Sequence, residues 1–249
     1  MLKSALEHVL GQIATASPEL RQCVPTQIDW PKRATATAKL LVPLLHRDGL
    51  RLKQHVEDIL NAATRLRLLW SEFRTRVALS AGDIAEFNRL LTLDDVLRES
   101  ITGEIVSNDV SHFLLDENPN LCSNGRSDYP DLYLKTIDYS MLPVFGRKRT
   151  ESEEFGASLK GANKRPVRVP DGLEIKTCRD QLRVDCHHPH AGLHLAIVFS
   201  RANRLYVVED IRIAFLSTAD YRESNRNTTA TTVKYSFNSA PFISLLESP

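Results

Sequence analysis

What the chain lacks narrows the field first. It has only four cysteines, at positions 23, 122, 178 and 186, too few and too scattered to staple a small secreted fold. With 10 glycines and 12 prolines in 249 residues, collagen-like repeats and Pro-rich low complexity are excluded, and no internal repeat is visible. No stretch approaches the roughly 18–20 uncharged apolar residues of a membrane span. Nor is there an excess of one charge: 32 Lys+Arg face 31 Asp+Glu, a formal net charge of +1. Any site for a polyanion must therefore rest on local positive potential rather than on a global surplus. The opening Met1-Leu2-Lys3-Ser4-Ala5-Leu6-Glu7-His8 reads as an amphipathic helix start without a secretory apolar core, so a cytoplasmic protein is expected.

What is present is a folded chain, 42% hydrophobic and 25% charged, long enough to bury a core as one large domain or two small ones. Two hydrophobic periods divide it. Over residues 1–118, Leu41, Leu44, Leu45, Leu52, Val56, Ile59, Leu60, Ala63, Leu66, Leu69 and Trp70 recur at three- and four-residue spacings, which predicts helix. Pro43 and Asp48-Gly49 predict a break near residue 49. Ser80 or Asp83 is suited to cap a helix carrying Ile84, Phe87, Leu90 and Leu91, and Asp94-Asp95 to open another. A helix through Glu104, Val106 and Val110 to Leu115 should end at Glu117-Asn118-Pro119-Asn120. Beyond residue 118 the period shortens to two. Asp131-Leu132-Tyr133-Leu134-Lys135 and Leu173-Glu174-Ile175-Lys176-Thr177 alternate, and Leu193–Phe199 is a nearly continuous apolar run, as in a strand covered on both faces. A further strand is expected over 205–215. The stretch 140–171, with its prolines and glycines, reads as an insertion between two strands. The expected architecture is α/β (α+β): a helical region over 1–118 and a mixed-sheet core over 119–249.

Two short pieces carry chemistry: Pro130-Asp131, opening one strand, and Glu174-Ile175-Lys176, on another. Residues i and i+2 of a strand share a face, so Glu174 and Lys176 project together while Ile175 points to the core. If the two strands pair, the Asp131 and Glu174 carboxylates converge. Two carboxylates are the hard oxygen ligands that Mg²⁺ prefers, with room left for water and a phosphate oxygen. Lys176 then lies where its charge favours a nucleophilic water or a pentavalent transition state. Pro170-Asp171 repeats the first dipeptide, but two residues before Glu174 leave no room for a separate strand. The plainer reading is a solvent-facing Glu174–Lys176 pair on an edge strand, with Asp131 capping a turn.

These residues resemble the PD-(D/E)xK nuclease superfamily, and within it the type II restriction endonucleases. The resemblance covers residues 100–216. It implies a mixed sheet flanked by helices with the motif strands central, Asp131 and Glu174 holding Mg²⁺, and Lys176 positioning or activating water. Glu104, on the preceding helix, matches an additional acid. The implied activity is Mg²⁺-dependent, site-specific hydrolysis of double-stranded DNA to 5′-phosphate ends, by a homodimer whose two-fold axis matches a palindromic target. The alternatives are a structure-specific or repair nuclease of the same superfamily, and a DNA-binding module without catalysis.

Local basic clusters offer DNA contacts. Arg147 and Lys148 lie in one, and Lys164 and Arg165 in another that contains no acid. His188 and His190 lie in a loop soon after the Glu-x-Lys strand, where they can meet a phosphate or form an ordinary polar turn. Tyr221–Thr229, with Arg222, Asn225, Arg226 and Asn227, is rich in side chains that pair with base edges. Cys178, Cys186, His187, His188 and His190 also have zinc-ligand chemistry, without the usual Cys-x2-4-Cys spacing.

Overall fold

A computed structural model of the chain describes residues 2–22, 28–76, 99–123, 130–135, 170–182, 185–186, 191–203, 205–224, 234–237 and 239–246. Three helices precede the strands among these residues: α1 (Leu2–Gln22), α2 (Trp30–Arg76) and α3 (Glu99–Glu117). The helices expected from Ser80 to Asp95 lie outside the described residues.

α2 begins where Asp29 caps it. The Asp29 carboxylate accepts from the Lys32 N–H at 3.2 Å and its carbonyl from Arg33 N–H at 2.9 Å, while Pro31 occupies the first turn, where no N–H is needed. The break predicted near residue 49 is absent, and α2 runs continuously through Pro43 and Gly49 for 47 residues. Pro43 and Gly49 each weaken an isolated helix, by about 3 and 1 kcal/mol. Packing offsets this here. Ala34, Ala38, Leu41, Leu45, Leu52, Val56 and Leu60 form one buried stripe spanning both interruptions, and tertiary burial outweighs local propensity. The C-terminal segment also lies against the helix at Gly49, close to Leu245 and Leu246.

The strands form a six-stranded mixed sheet in the order β1-β2-β3-β5-β6-β9, comprising β1 (Leu121–Ser123), β2 (Leu132–Leu134), β3 (Leu173–Arg179), β5 (Gly192–Ala202), β6 (Leu205–Leu216) and β9 (Ile243–Ser244). β3 and β5 are parallel; the other neighbours are antiparallel. A second, antiparallel sheet has the order β4-β8-β7, with β4 (Asp185–Cys186), β7 (Tyr221–Ser224) and β8 (Lys234–Phe237). The fold is therefore mixed α+β. Leu173, Ile175, Leu193, Leu195, Ile197, Ile211, Ile213 and Phe215 of the large sheet share one apolar core with Val9, Ile13, Leu41, Leu45, Val110 and Leu114 of the helices. All three helices pack on the sheet, so the helical region and the sheet are not separate hydrophobic units.

β6 meets the two-residue β9 only at Arg212 and Ile213, and helix side chains satisfy backbone groups along much of the rest of that edge. Asn61 imitates a strand: its Nδ2 donates to the Tyr206 carbonyl at 2.8 Å and its Oδ1 accepts from the Tyr206 N–H at 2.7 Å. Glu57 accepts from Val208 N–H and Gln12 from Phe215 N–H, both at 2.8 Å. An unpaired edge invites other chains to add a strand, and these amides and carboxylate block it. Asn61→Ala should cost about 1–2 kcal/mol, because it leaves two half-buried backbone groups of Tyr206 without their partner. Denaturant titration checks this, and a loss under about 0.5 kcal/mol, the scale of an ordinary surface substitution, would contradict it.

Candidate active site

Burial splits the large sheet into two chemically different faces. Leu173 and Ile175 join the helix-side core, so the alternate residues of β3, Glu174 and Lys176, lie on the face away from the helices. The register carries the pattern across: Glu174 pairs with His194 and Lys176 with Ala196, and these in turn pair with Ala214 and Arg212. β3 is interior, between β2 and β5, and Glu174 is only 7% exposed. A solvent-facing pair on an edge strand is therefore not what forms.

Asp131 immediately precedes β2, and Leu132 is the register partner of Leu173. One step further along the antiparallel register, Asp131 falls opposite Glu174, and such cross-strand neighbours have Cβ atoms about 4.5–5.5 Å apart. The Asp131 Oδ2 accepts from the Ile175 N–H at 2.6 Å. Burial, and then the Glu174 charge, push the Asp131 carboxyl up to about 7 from its ordinary 3.8, against the Ile175 hydrogen bond and the Lys176 charge. The Lys176 ammonium donates to Glu174 Oε1, while Glu174 Oε2 is buried with no hydrogen-bond partner. Asp131, Glu174 and Lys176 thus meet at one point of the sheet.

Gly172 makes this approach sterically feasible. A Cβ there would stand 2.2 Å from Pro130 Cγ, 2.4 Å from Pro130 Cβ and 2.9 Å from the Leu132 carbonyl oxygen. The buried Pro130 ring fills the space a side chain would take, and this lets Pro130-Asp131 lie directly on β3 despite the long insertion between the strands.

Asp171, the acid of the second Pro-Asp dipeptide, is buried on the helix side. Its Oδ2 pairs with Arg33 Nε of α2 at 3.0 Å, at 0% side-chain exposure against 29% for Arg33. Burial raises its pKa and Arg33 opposes the rise. It ties α2 to the start of β3. Arg33→Ala should cost on the order of 3 kcal/mol by leaving a buried carboxylate unpaired; thermal unfolding at pH 8 is the check, with an unchanged midpoint contradicting the role.

The sequence reading did not single out His194, the one polar side chain within the apolar run Leu193–Phe199. Its ring is fully buried, with Nδ1 2.8 Å from the Gly192 carbonyl oxygen and Nε2 3.0 Å from the Tyr221 hydroxyl. Burial, with the nearby Lys176 charge adding to it, drives its pKa down to about 3, so the imidazole is neutral.

Of the other candidates, Glu104 lies within α3, which packs against β3, and its side chain is outside the described set. Arg222 is exposed on β7, paired with Ser236 of β8. Arg147, Lys148, Lys164, Arg165, His188, His190, Asn225, Arg226 and Asn227 lie outside the described residues. Cys178 is buried and is not in a disulfide. Among the described residues no group of three or more His, Cys, Asp or Glu side chains could hold a metal ion; of the zinc candidates, His187, His188, His190 and the Cys186 side chain lie outside that set. The pair Asp131–Glu174 does suit a small hard cation: both donors are carboxylates, and the partnerless Glu174 Oε2 is an oxygen such an ion would satisfy. No described helix is long and apolar enough to cross a membrane. Comparisons with protein-family models, curated proteins and solved structures found no match.

Proposed function

We propose that this chain is a Mg²⁺-dependent endonuclease of the PD-(D/E)xK, type II restriction kind, with a restriction-endonuclease-like core, acting on double-stranded DNA as a homodimer. The observation that carries the reading is the convergence of Asp131, Glu174 and Lys176 on the helix-free face, with a buried carboxylate oxygen left without a donor. Asp131 and Glu174 would hold Mg²⁺, which polarises a phosphoryl oxygen and acidifies water. The Ile175 N–H fixes Asp131 in place, and Lys176 supplies a positive charge beside the phosphorus as negative charge develops there. In the hydrolysis, the oxygen of one water gives up a proton and bonds to phosphorus as the P–O3′ bond breaks. The departing O3′ keeps the electron pair and takes up a proton, leaving 5′-phosphate and 3′-hydroxyl ends.

Incubation with a mapped plasmid and Mg²⁺ tests this on a gel. Discrete fragments that vanish with EDTA are expected. Nicking confined to branched or damaged substrates points to the repair-type alternative, and an intact plasmid under all conditions rejects catalysis.

A further inference from the structure

The second sheet carries the exposed Arg222 on β7, and its first residue, Tyr221, packs onto the helix-free face of the large sheet against Ala196, Ala214, Leu216 and Phe242. The path to this point is fixed. After β6, the Ser217 N–H and hydroxyl both donate to Asp220, at 2.7 and 2.8 Å, and the Thr218 N–H donates to Glu19 of α1. Tyr221 then reaches His194, the register neighbour of Glu174. Chemistry fixes the direction of that bond. The Gly192 carbonyl can only accept, so Nδ1 carries the imidazole proton. Nε2 therefore presents a lone pair, and the Tyr221 hydroxyl donates to it. One hydroxyl thus connects the strand bearing Arg222 to the register neighbour of Glu174 on β5.

We infer that Tyr221 and His194 are positioning residues that set the β7 strand, and with it Arg222, in register with the Asp131–Glu174–Lys176 cluster, so that a duplex gripped by β7 presents its phosphodiester to that cluster. The inference rests on the nuclease reading for its purpose, and on the Tyr221–His194 hydrogen bond for its mechanism. Both rings are buried or half-buried at a T-shaped separation of 6.3 Å, so removing the hydroxyl alone leaves the packing in place.

The test compares the wild type with Tyr221→Phe, His194→Ala and His194→Gln, the last keeping an acceptor for the Tyr221 hydroxyl. Hydrogen exchange of the free proteins is read first. In Tyr221→Phe the amides of both 193–196 and 221–224 should exchange about tenfold faster. Acceleration confined to 221–224 overturns the coupling, whatever the protein does to DNA. With a mapped plasmid and Mg²⁺, Tyr221→Phe should lose at least about tenfold in kcat, keep KM within twofold and cut at additional sites. His194→Gln should recover most of the kcat that His194→Ala loses. Wild-type kcat and fragments in Tyr221→Phe, with only a lower melting temperature, reduce the bond to a structural role and overturn the inference. A wild type that leaves plasmid intact defeats the nuclease reading and the purpose assigned to the link, while the exchange result still decides whether the link exists.

Discussion

Replacing Asp131 by Asn is expected to abolish Mg²⁺-dependent cleavage and, in the same variant, to raise the melting temperature of the metal-free protein at pH 8. The two effects share one cause. Burial and the neighbouring Glu174 charge hold the Asp131 carboxyl at about 7 in the folded state, against an ordinary value of 3.8. Between those values the folded protein keeps a proton that the unfolded chain has released. Stability therefore falls as pH rises through this window, and the full penalty is present above about pH 7. The shift bounds the penalty at about 4 kcal/mol, and structural relaxation lowers it to roughly 2–4 kcal/mol. Asparagine has the same shape, keeps an oxygen to accept from Ile175 N–H and carries no charge, so it escapes the penalty. It also cannot supply the anionic ligand, and cleavage should fall by at least ~10³-fold, comparable with removing a principal transition-state stabiliser. Calorimetric scans in EDTA at pH 5 and pH 8 check the stability arm. The wild type should be the less stable at pH 8, with Asp131→Asn lacking that part of the decline. Parallel pH profiles for the two proteins would contradict the account. Under the proposed function, a divalent cation held by Asp131 and Glu174 would relieve the repulsion that folding imposes on this pair.

The second large effect is steric. Gly172→Ala places a methyl group 2.2–2.9 Å from Pro130 and the Leu132 carbonyl, well inside van der Waals separation. Pro130 is buried and its ring cannot rotate away, so the Pro130-Asp131 segment must lift off β3. Overpacking of this kind costs about 1–3 kcal/mol or more, but function should suffer beyond stability, because lifting Asp131 breaks its hydrogen bond to the Ile175 N–H before anything else. The expectation is a folded protein at 20 °C with cleavage reduced at least ~100-fold, a displacement of about an ångström from a working geometry being enough. Circular dichroism and plasmid cleavage, measured together, are the check. Cleavage within threefold of wild type would show that the approach of Pro130 to Gly172 is unimportant.

How much of this could be read in the sequence depends on how local each feature is. The β3, β5 and β6 strands were legible because their period-two and continuous apolar patterns are fixed by which face is buried. The meeting of Asp131, Glu174 and Lys176 was also legible, since the i, i+2 rule puts Glu174 and Lys176 together and only the pairing of β2 with β3 had to be supposed. The continuity of α2 was not. Pro43 and Gly49 are local signals of a break, and the burial that overrides them comes from packing on α1 and on β6, with the segment at Leu245 and Leu246 closing over Gly49. The ion pair of Asp171 with Arg33 and the bond from Tyr221 to His194 are hidden for the same reason. Each joins elements that do not follow one another in the chain, 138 and 27 positions apart, and no spacing rule foretells them. A lone histidine in an otherwise apolar strand was the available clue to His194.

The most direct test of the account is a calorimetric titration of the wild type, Asp131→Asn and Glu174→Gln with Mn²⁺, an oxygen-seeking stand-in for Mg²⁺, at pH 8. A saturable binding heat in the wild type that disappears in both variants is the predicted result. Binding of equal strength in all three proteins would contradict the claim that these two carboxylates share a metal ion.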